Sequence, residues 1–574
     1  MLSKLFKTKT LLILILLVAV FLRLYKITQV PPSLFGDELD LGYHAYSILK
    51  TGNDYQGNHF PMHFHSIAEW RTPLYLYSAV PTVAIFGVSP LGVRLPAVIF
   101  GVLSILAIYL FIKEVFNKEK LGLIAAGILA INPWHLQYSR AGFEVTEMLC
   151  FLLLGLFFFF KSLKESKWLW VSVSLLVLTP LIYSTAKLFT PILMVFLFLI
   201  YKKEILNFSK KDLTKGIIVG LLFGFPVVYS TLFSGGTQRF NYISVFSDPT
   251  VEAEVGHSRE VDARVRGESG FGLTPSLLDR VVHNKYTFWG KVISRNYFQS
   301  FSTEFLFIKG DSNPRQSVGI GEFYRIEVVF LLLGIVYFFL DKNINWKNKL
   351  LIGFWILVAP IPAALTRDGG NHATRLILLL PPLIFLISYG LEKLLNNFSK
   401  KVQPVITTSI LIMYAATLIF YLHHYYVHYS VESERWWHYG WGPVIEEVKK
   451  IDSDYDRVII SMSGEPAWIF FAGWYQYDPL KFQSEFPIGR DEVVPGFGKI
   501  SHTGKFYFAA PQPDVQIYGL EKHINSKTLY VANAKEVGEN LIMHPEKTPS
   551  GLRLLKSVAF PSGEPAFYLF TALK

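Results

Sequence analysis

One cysteine in 574 residues, Cys150, sits inside an apolar run, which excludes a disulfide framework and a Cys-based metal site. Charge is also scarce: Asp, Glu, Lys and Arg make up 17% of the chain, against about 25% in an average soluble domain. No internal repeat and no low-complexity tract is visible, which argues against a solenoid or a disordered linker. No small-residue cleavage site follows the apolar stretch Leu11 to Leu22, so this stretch reads as a retained first helix rather than a secretory signal.

What the chain has in abundance is apolar surface. Hydrophobic residues reach 51%, mean hydropathy is +0.34 and aromatics are 16%, with 48 Phe, 30 Tyr and 12 Trp. This composition defines a polytopic membrane protein. The net charge of +11 lies in short clusters between apolar runs, where topology explains it, so nucleic acid is not an expected partner. A span needs about 20 apolar residues. That length places eleven helices near 10–28, 92–112, 120–134, 144–160, 168–184, 187–201, 216–233, 325–340, 350–365, 376–392 and 403–422.

The gaps alternate in charge, with lysine clusters from Lys4/Lys7/Lys9 to Lys393/Lys400/Lys401 on one side. The positive-inside rule makes that side cytoplasmic, with the N-terminus on it. The arginines, including Arg71, Arg94, Arg140, Arg239 and Arg375, map to the opposite face. Residues 73–88 are apolar but short and interrupted by Pro81, and counting them as a span spoils the alternation. They read as an interfacial or re-entrant helix.

The expected architecture is a helical transmembrane domain, residues 1–422, with long outer loops at 29–91 and 234–324. A small extracytoplasmic α/β domain, residues 423–574, follows it. In the tail, Arg457–Met462 and Lys505–Ala509 read as strands, and Gly442–Lys450 and Gly464–Tyr475 as helices. Multi-pass insertion in the plasma membrane is the expected location.

The outer face collects the chemistry. Asp37-Glu38 follows the first helix. Arg71 lies in Glu69-Trp70-Arg71-Thr72-Pro73-Leu74-Tyr75, and Arg94 in Gly92-Val93-Arg94-Leu95-Pro96. Ser139-Arg140-Ala141-Gly142-Phe143-Glu144 opens the fourth helix, and Asn371-His372-Ala373-Thr374-Arg375 the tenth. A carboxylate at a bilayer surface is well placed to act on a lipid-linked substrate. An arginine fork suits phosphate.

This order of elements resembles the GT-C superfamily of membrane glycosyltransferases, and within it the branch of protein O-mannosyltransferases and lipid A aminoarabinose transferases. Gly310-Asp311, Gly319 to Tyr324 and Pro362 to Thr366 add to the likeness, which covers residues 1 to 400. Glu144 departs from it, because many relatives carry Asp there.

The resemblance implies transfer of a sugar from a polyprenyl-phosphate donor to a protein, lipid or polysaccharide hydroxyl on the outer face, with inversion. In that chemistry Asp37 is the candidate base, with Glu38 as its fallback, and Glu144 orients the acceptor or an arginine. Arg71, Arg140 and Arg375, with Lys187 and His372, are the candidate phosphate ligands, while Arg94 reads as a structural pin pairing with an acid. No cofactor is required. A divalent metal on Glu38-Leu39-Asp40, or on Asp37 with Glu144, is the alternative that some GT-C enzymes exemplify. His59, His63 and His65 read as solvated or hydrogen-bonded rather than as a zinc site. A lipid or solute transporter and a membrane scaffold are the competing classes.

Overall fold

The computed structural model describes residues 2–66, 70–233, 237–268, 270, 274–486 and 492–573, the side chains of residues 2–7 and 232 excepted. Glu69 and the side chains of Lys4 and Lys7 therefore lie outside the described residues. Each of the eleven expected apolar segments contains a helix, from Leu2–Leu24 and Pro90–Phe116 through to Leu380–Asn396 and Gln403–His423. Among the described residues five are long and apolar enough to cross a membrane: Pro90–Phe116, Val145–Ser162, Lys210–Thr231, Ala373–Asn396 and Gln403–Glu432. The segment around Pro81 is the shorter helix Leu74–Phe86.

The chain forms two compact units. One comprises Met1–Leu22, Phe100–Tyr138 and Glu144–Ile419, and the other Arg23–Ile99, Ser139–Phe143 and Phe420–Lys574. The tail, expected from 423, falls in the segment Phe420–Lys574, and the first outer region, 29–91, shares its unit.

Within the first unit, helices Glu327–Leu340 and Leu380–Asn396 meet backbone to backbone. A Cβ placed on Gly334 would lie 2.0 Å from the Leu386 carbonyl, and one on Gly390 2.0 Å from that of Phe330. Small residues allow such an approach where lipid supplies no hydrophobic drive between helices.

In the second unit, two short strands, β1 (Phe64–His65) and β2 (Trp70–Arg71), form a hairpin. The tail contributes a seven-stranded sheet from β3 (Arg457–Ile460), β4 (Glu492–Val494), β5 (Gly498–Thr503), β6 (Phe506–Phe508), β7 (Thr528–Asn533), β8 (Leu552–Ala559) and β9 (Pro565–Ala572). Its order is β4-β5-β6-β3-β7-β9-β8, with β3 parallel to β6 and β7 and the other pairs antiparallel.

Strand side chains alternate between faces, so neighbours on one strand enter different cores. Ile459, Tyr507 and Tyr530 join Ile517 and Leu520 on one face. Val458, Ile460, Phe506 and Val531 pack on the other with helices Trp441–Ile451 and Ala467–Tyr475. That second core also contains Leu39, Tyr43, Tyr75, Val88 and Val93 from the first outer region. Helix Gly36–Thr51 is built into it: Gly473 lies against Leu39, and Tyr43 stacks edge-on to Phe482.

Candidate active site

Helix Gly36–Thr51 carries Asp37 and Glu38 in its first turn, where carboxylates complement the helix dipole, and ends at the left-handed Gly52. Successive helical residues diverge by about 100°, so the two acids face different surroundings. The Asp37 side chain is 51% exposed and its Oδ1 accepts from Arg71 Nη2 at 2.7 Å. Glu38 is fully buried and holds Arg94 bidentately: Arg94 Nε donates to Oε1 at 2.8 Å and Nη2 to Oε2 at 2.9 Å, while the Gly142 N–H donates to Oε1 at 2.7 Å. Glu38 is therefore an internal counter-ion, enclosed away from any substrate, rather than a second base. The structural pin read into Arg94 finds its acid here.

Arg94 also donates to the Ile27, Pro31 and Ser33 carbonyls and lies over the Trp437 ring. Arg140 does the same for the adjoining backbone. Its Nη1 donates to the Arg23 carbonyl at 3.0 Å and its Nη2 to those of Tyr25 and Val30 at 2.8 and 2.9 Å. Its Nε donates to the Tyr425 hydroxyl, and the Tyr425 and Tyr426 rings cover it. The two guanidinium groups thus clamp residues 23–33, the segment that delivers Asp37. For Arg140 this geometry replaces phosphate binding, because the fork is taken up by main-chain oxygen.

Arg71, on β2, bridges two acids. Beside its contact with Asp37, its Nε donates to Ser66 Oγ at 3.1 Å and lies 3.4 Å from Asp40 Oδ2. Asp40 is wholly buried, accepting from the Tyr55 hydroxyl at 2.6 Å and from Ser66 Oγ at 2.9 Å. Burial raises its pKa, and Arg71 opposes that rise. His44, one turn on, stacks on Tyr55 with ring centroids 3.8 Å apart, and burial pushes its pKa down to about 3, which keeps it neutral. The pair Glu38-Leu39-Asp40 does not fit a divalent cation, since one carboxylate is committed to Arg94 and the other to Tyr55 and Ser66. Among the described residues no group of three or more His, Cys, Asp or Glu is arranged to hold a metal ion. His59 Nδ1 lies 3.0 Å from Asn53 Oδ1, and His63 is buried.

In the first unit, Arg375 is buried, donating to Thr366 Oγ1 at 2.7 Å and to the exposed Asp368 at 2.5 Å. Neighbouring His372 is neutral, its pKa lowered to about 3 by burial and then by Arg375, and its Nδ1 has no hydrogen-bond partner. Arg239 lies within electrostatic range of both His372 and Lys187. Lys187, Arg239, His372 and Arg375 therefore form one electropositive cluster with Asp368 as its acid.

The loop bearing His372 and Arg375 is fixed by further hydrogen bonds. Asp311 accepts the Ala373 N–H at 2.8 Å, Tyr138 and Thr374 share a hydroxyl bond of 2.7 Å, and Asn296 Nδ2 donates to the Thr366 carbonyl at 2.7 Å. Burial lifts the Asp311 pKa to about 6. Glu144 is buried at the N-terminal end of helix Val145–Ser162.

A groove of about 440 Å³ lies along helices Val251–Val265 and Lys285–Gln299. Its lining mixes Asp248 and Glu254 with Lys291, Arg295 and Arg367, so its charge selects no single ligand class.

Sequence reasoning saw Arg239 only as an outer-face arginine and Asp40 only as a metal ligand, and it missed Tyr55, Ser66 and Asp368. The i, i+3 spacing of Asp37 and Asp40 on one helix was the available signal.

The apolar helices of spanning length make this a multi-pass membrane protein. Its fold is that of ArnT from Cupriavidus metallidurans, solved with undecaprenyl phosphate, on which it superposes with a TM-score of 0.53 at 10% identity, covering 99% of this chain and 98% of that one. The oligosaccharyltransferase AglB from Archaeoglobus fulgidus gives a TM-score of 0.46 at 14% identity, covering 82% and 64%. Residues 71–229 match the family model described as dolichyl-phosphate-mannose-protein mannosyltransferase. The Bacillus subtilis (strain 168) protein named "Putative mannosyltransferase YkcB" is 28% identical over 163 residues, which are 28% of this chain and 22% of that protein.

Proposed function

We propose that the chain is a glycosyltransferase that moves a sugar from a polyprenyl-phosphate carrier to an acceptor hydroxyl on the outer membrane face. The N-terminus is then cytoplasmic and the tail domain extracytoplasmic, in the plasma membrane. The observation that carries this reading is the half-exposed Asp37 carboxylate, held by the buried Arg71 on a helix packed into the core.

In the reaction the acceptor oxygen bonds to the anomeric carbon as the bond from that carbon to the phosphate oxygen breaks. The acceptor proton passes to Asp37, and the bonding pair leaves with the phosphate. A lipid phosphate leaves without protonation, whereas a hydroxyl far above pH 7 in pKa gains from a base in line. Within the first unit, Lys187, Arg239 and Arg375 are the cations suited to a lipid phosphate, with neutral His372 offering a hydrogen bond. Arg71 orients Asp37. The comparison with ArnT supports a polyprenyl-phosphate carrier as the donor, and the family match supports a hexose such as mannose.

The test uses proteoliposomes supplied with a panel of undecaprenyl-phosphate hexoses and reads released undecaprenyl phosphate, which transfer to any acceptor or to water produces. Loss of a general base is worth about 10²- to 10⁴-fold, so Asp37→Asn should lose at least about a hundredfold with insertion unchanged. Wild-type release from Asp37→Asn protein would refute the assignment.

A further inference from the structure

Asp40 has no part in the reaction just described, yet it is a fully enclosed carboxylate near Asp37. It is wholly buried, it is bonded by Tyr55 and Ser66, and it lies 3.4 Å from the guanidinium that touches Asp37. A buried carboxylate costs stability unless it is paired and bonded, and an apolar residue would fill the site more cheaply. Its geometry supplies what an apolar residue could not. Arg71 is gripped at Nε by Ser66 and Asp40, which leaves its Nη2 directed to Asp37 at 2.7 Å.

We propose that Asp40 is a positioning residue, acting with Ser66 as a buried anchor that orients Arg71 and, through it, the Asp37 carboxylate. This rests on the reading of Asp37 as the base. Asp40 touches no substrate in this scheme. Tyr55 and Ser66 fix its two oxygens, so the grip on Arg71 tolerates little rotation, in the way that outer partners hold catalytic groups to a narrow geometry.

The charged and titratable groups around Asp40 are Asp37 and His44 on its own helix, Asp54 and Tyr55 on the loop that follows, His65 on β1, and Arg71 on β2. Burial keeps His44 neutral and pushes the Tyr55 phenol well above its ordinary value, so neither titrates near neutrality. His65→Gln serves as the control for that neighbouring ring.

The two roles open to Asp40 have opposite signatures. If it anchors Arg71, Asp40→Asn loosens the cation from Asp37, and the acid limb of the kcat profile moves up. A guanidinium beside a carboxylate is worth about 1–3 pH units, so a rise of about one unit is expected, with kcat down about tenfold or more and KM for the donor unchanged. If Asp40 acts only as a neighbouring negative charge, its removal moves the same limb down.

The experiment measures undecaprenyl phosphate release against pH for the full-length wild type, Asp40→Asn, Ser66→Ala and Asp37→Asn. Ser66→Ala keeps the buried charge and removes only the bridge to Nε, so it covers the case in which Asp40→Asn does not fold, and its limb should move in the same upward direction by less. An unmoved or lowered limb in the folded variants overturns the proposal. Retained activity in Asp37→Asn instead overturns the assignment of the base, which separates the two failures.

Discussion

Replacing Arg94 by methionine is the most severe single change the structure defines near Asp37. The guanidinium is fully buried, bonded twice to Glu38 and further to three main-chain carbonyls. Removing one partner of a buried ion pair costs about 3–5 kcal/mol, because the other charge stays enclosed without compensation. Each carbonyl that loses its donor adds about 1 kcal/mol or more. The total rivals the whole stability of a typical domain, about 5–15 kcal/mol.

Glu38→Gln also leaves a buried charge without its counter-ion, at about 3–5 kcal/mol, but should be milder than Arg94→Met, since the three carbonyls keep their donor and an amide oxygen can still accept the Gly142 N–H. The double variant Glu38→Gln with Arg94→Met removes both charges and should lose much less stability than the sum of its singles. Heating detergent-solubilised protein and following the surviving monodisperse fraction by size exclusion ranks all four proteins. An Arg94→Met protein that melts within a degree or two of wild type would refute the clamp. Folded Glu38→Gln should also release undecaprenyl phosphate near the wild-type rate, and a hundredfold loss would return Glu38 to the chemistry.

Three further outcomes are expected. The Asp311 pKa is raised on folding to about 6 from an ordinary 3.8, so its contribution to stability is full below about 3.8 and is lost as pH rises through 6; unfolding midpoints measured from pH 4 to 7 should lose that slope in Asp311→Asn. Removing residues 423–574 takes Gly473 and Phe482 from helix Gly36–Thr51, together with the Tyr477 carbonyl that accepts from Tyr43, so limited proteolysis should open residues 29–91 in the truncated chain, and unchanged protection would contradict the shared core. Gly390→Leu drives a side chain into the Phe330 carbonyl 2.0 Å from its Cβ position, and yield of monodisperse protein should fall sharply, whereas Gly353→Ala, facing only the Phe339 ring edge at 3.6 Å, should be tolerated.

The apolar segments were legible because their length and hydropathy are local properties, and every expected one carries a helix. Asp37 was legible for a similar reason, as a carboxylate just beyond the first apolar run. The arginines were harder. The argument that a planar fork suits phosphate is sound, but the same fork suits converging main-chain carbonyls, and Arg94 and Arg140 use it that way on residues 23–33. Nothing local marks those carbonyls as acceptors, because they converge only once the chain has turned after the first helix. Glu38 was paired with Asp37 by adjacency, although helical geometry turns neighbours apart, and the position of Arg94 56 residues away decided its fate. The tail read as α/β from two strands, and the other five strands of its sheet had weaker patterns.

The mixed parentage of the second unit's core bears on how such proteins are recombined. Helix Gly36–Thr51 and the tail sheet each hold half of one apolar contact surface, so a chimera that exchanges residues 420–574 alone joins two halves that were never fitted to each other. Exchanges that respect the packing move residues 23–99 together with the tail, and with them the carboxylate at position 37, so in this architecture a new C-terminal domain arrives with its own first loop attached.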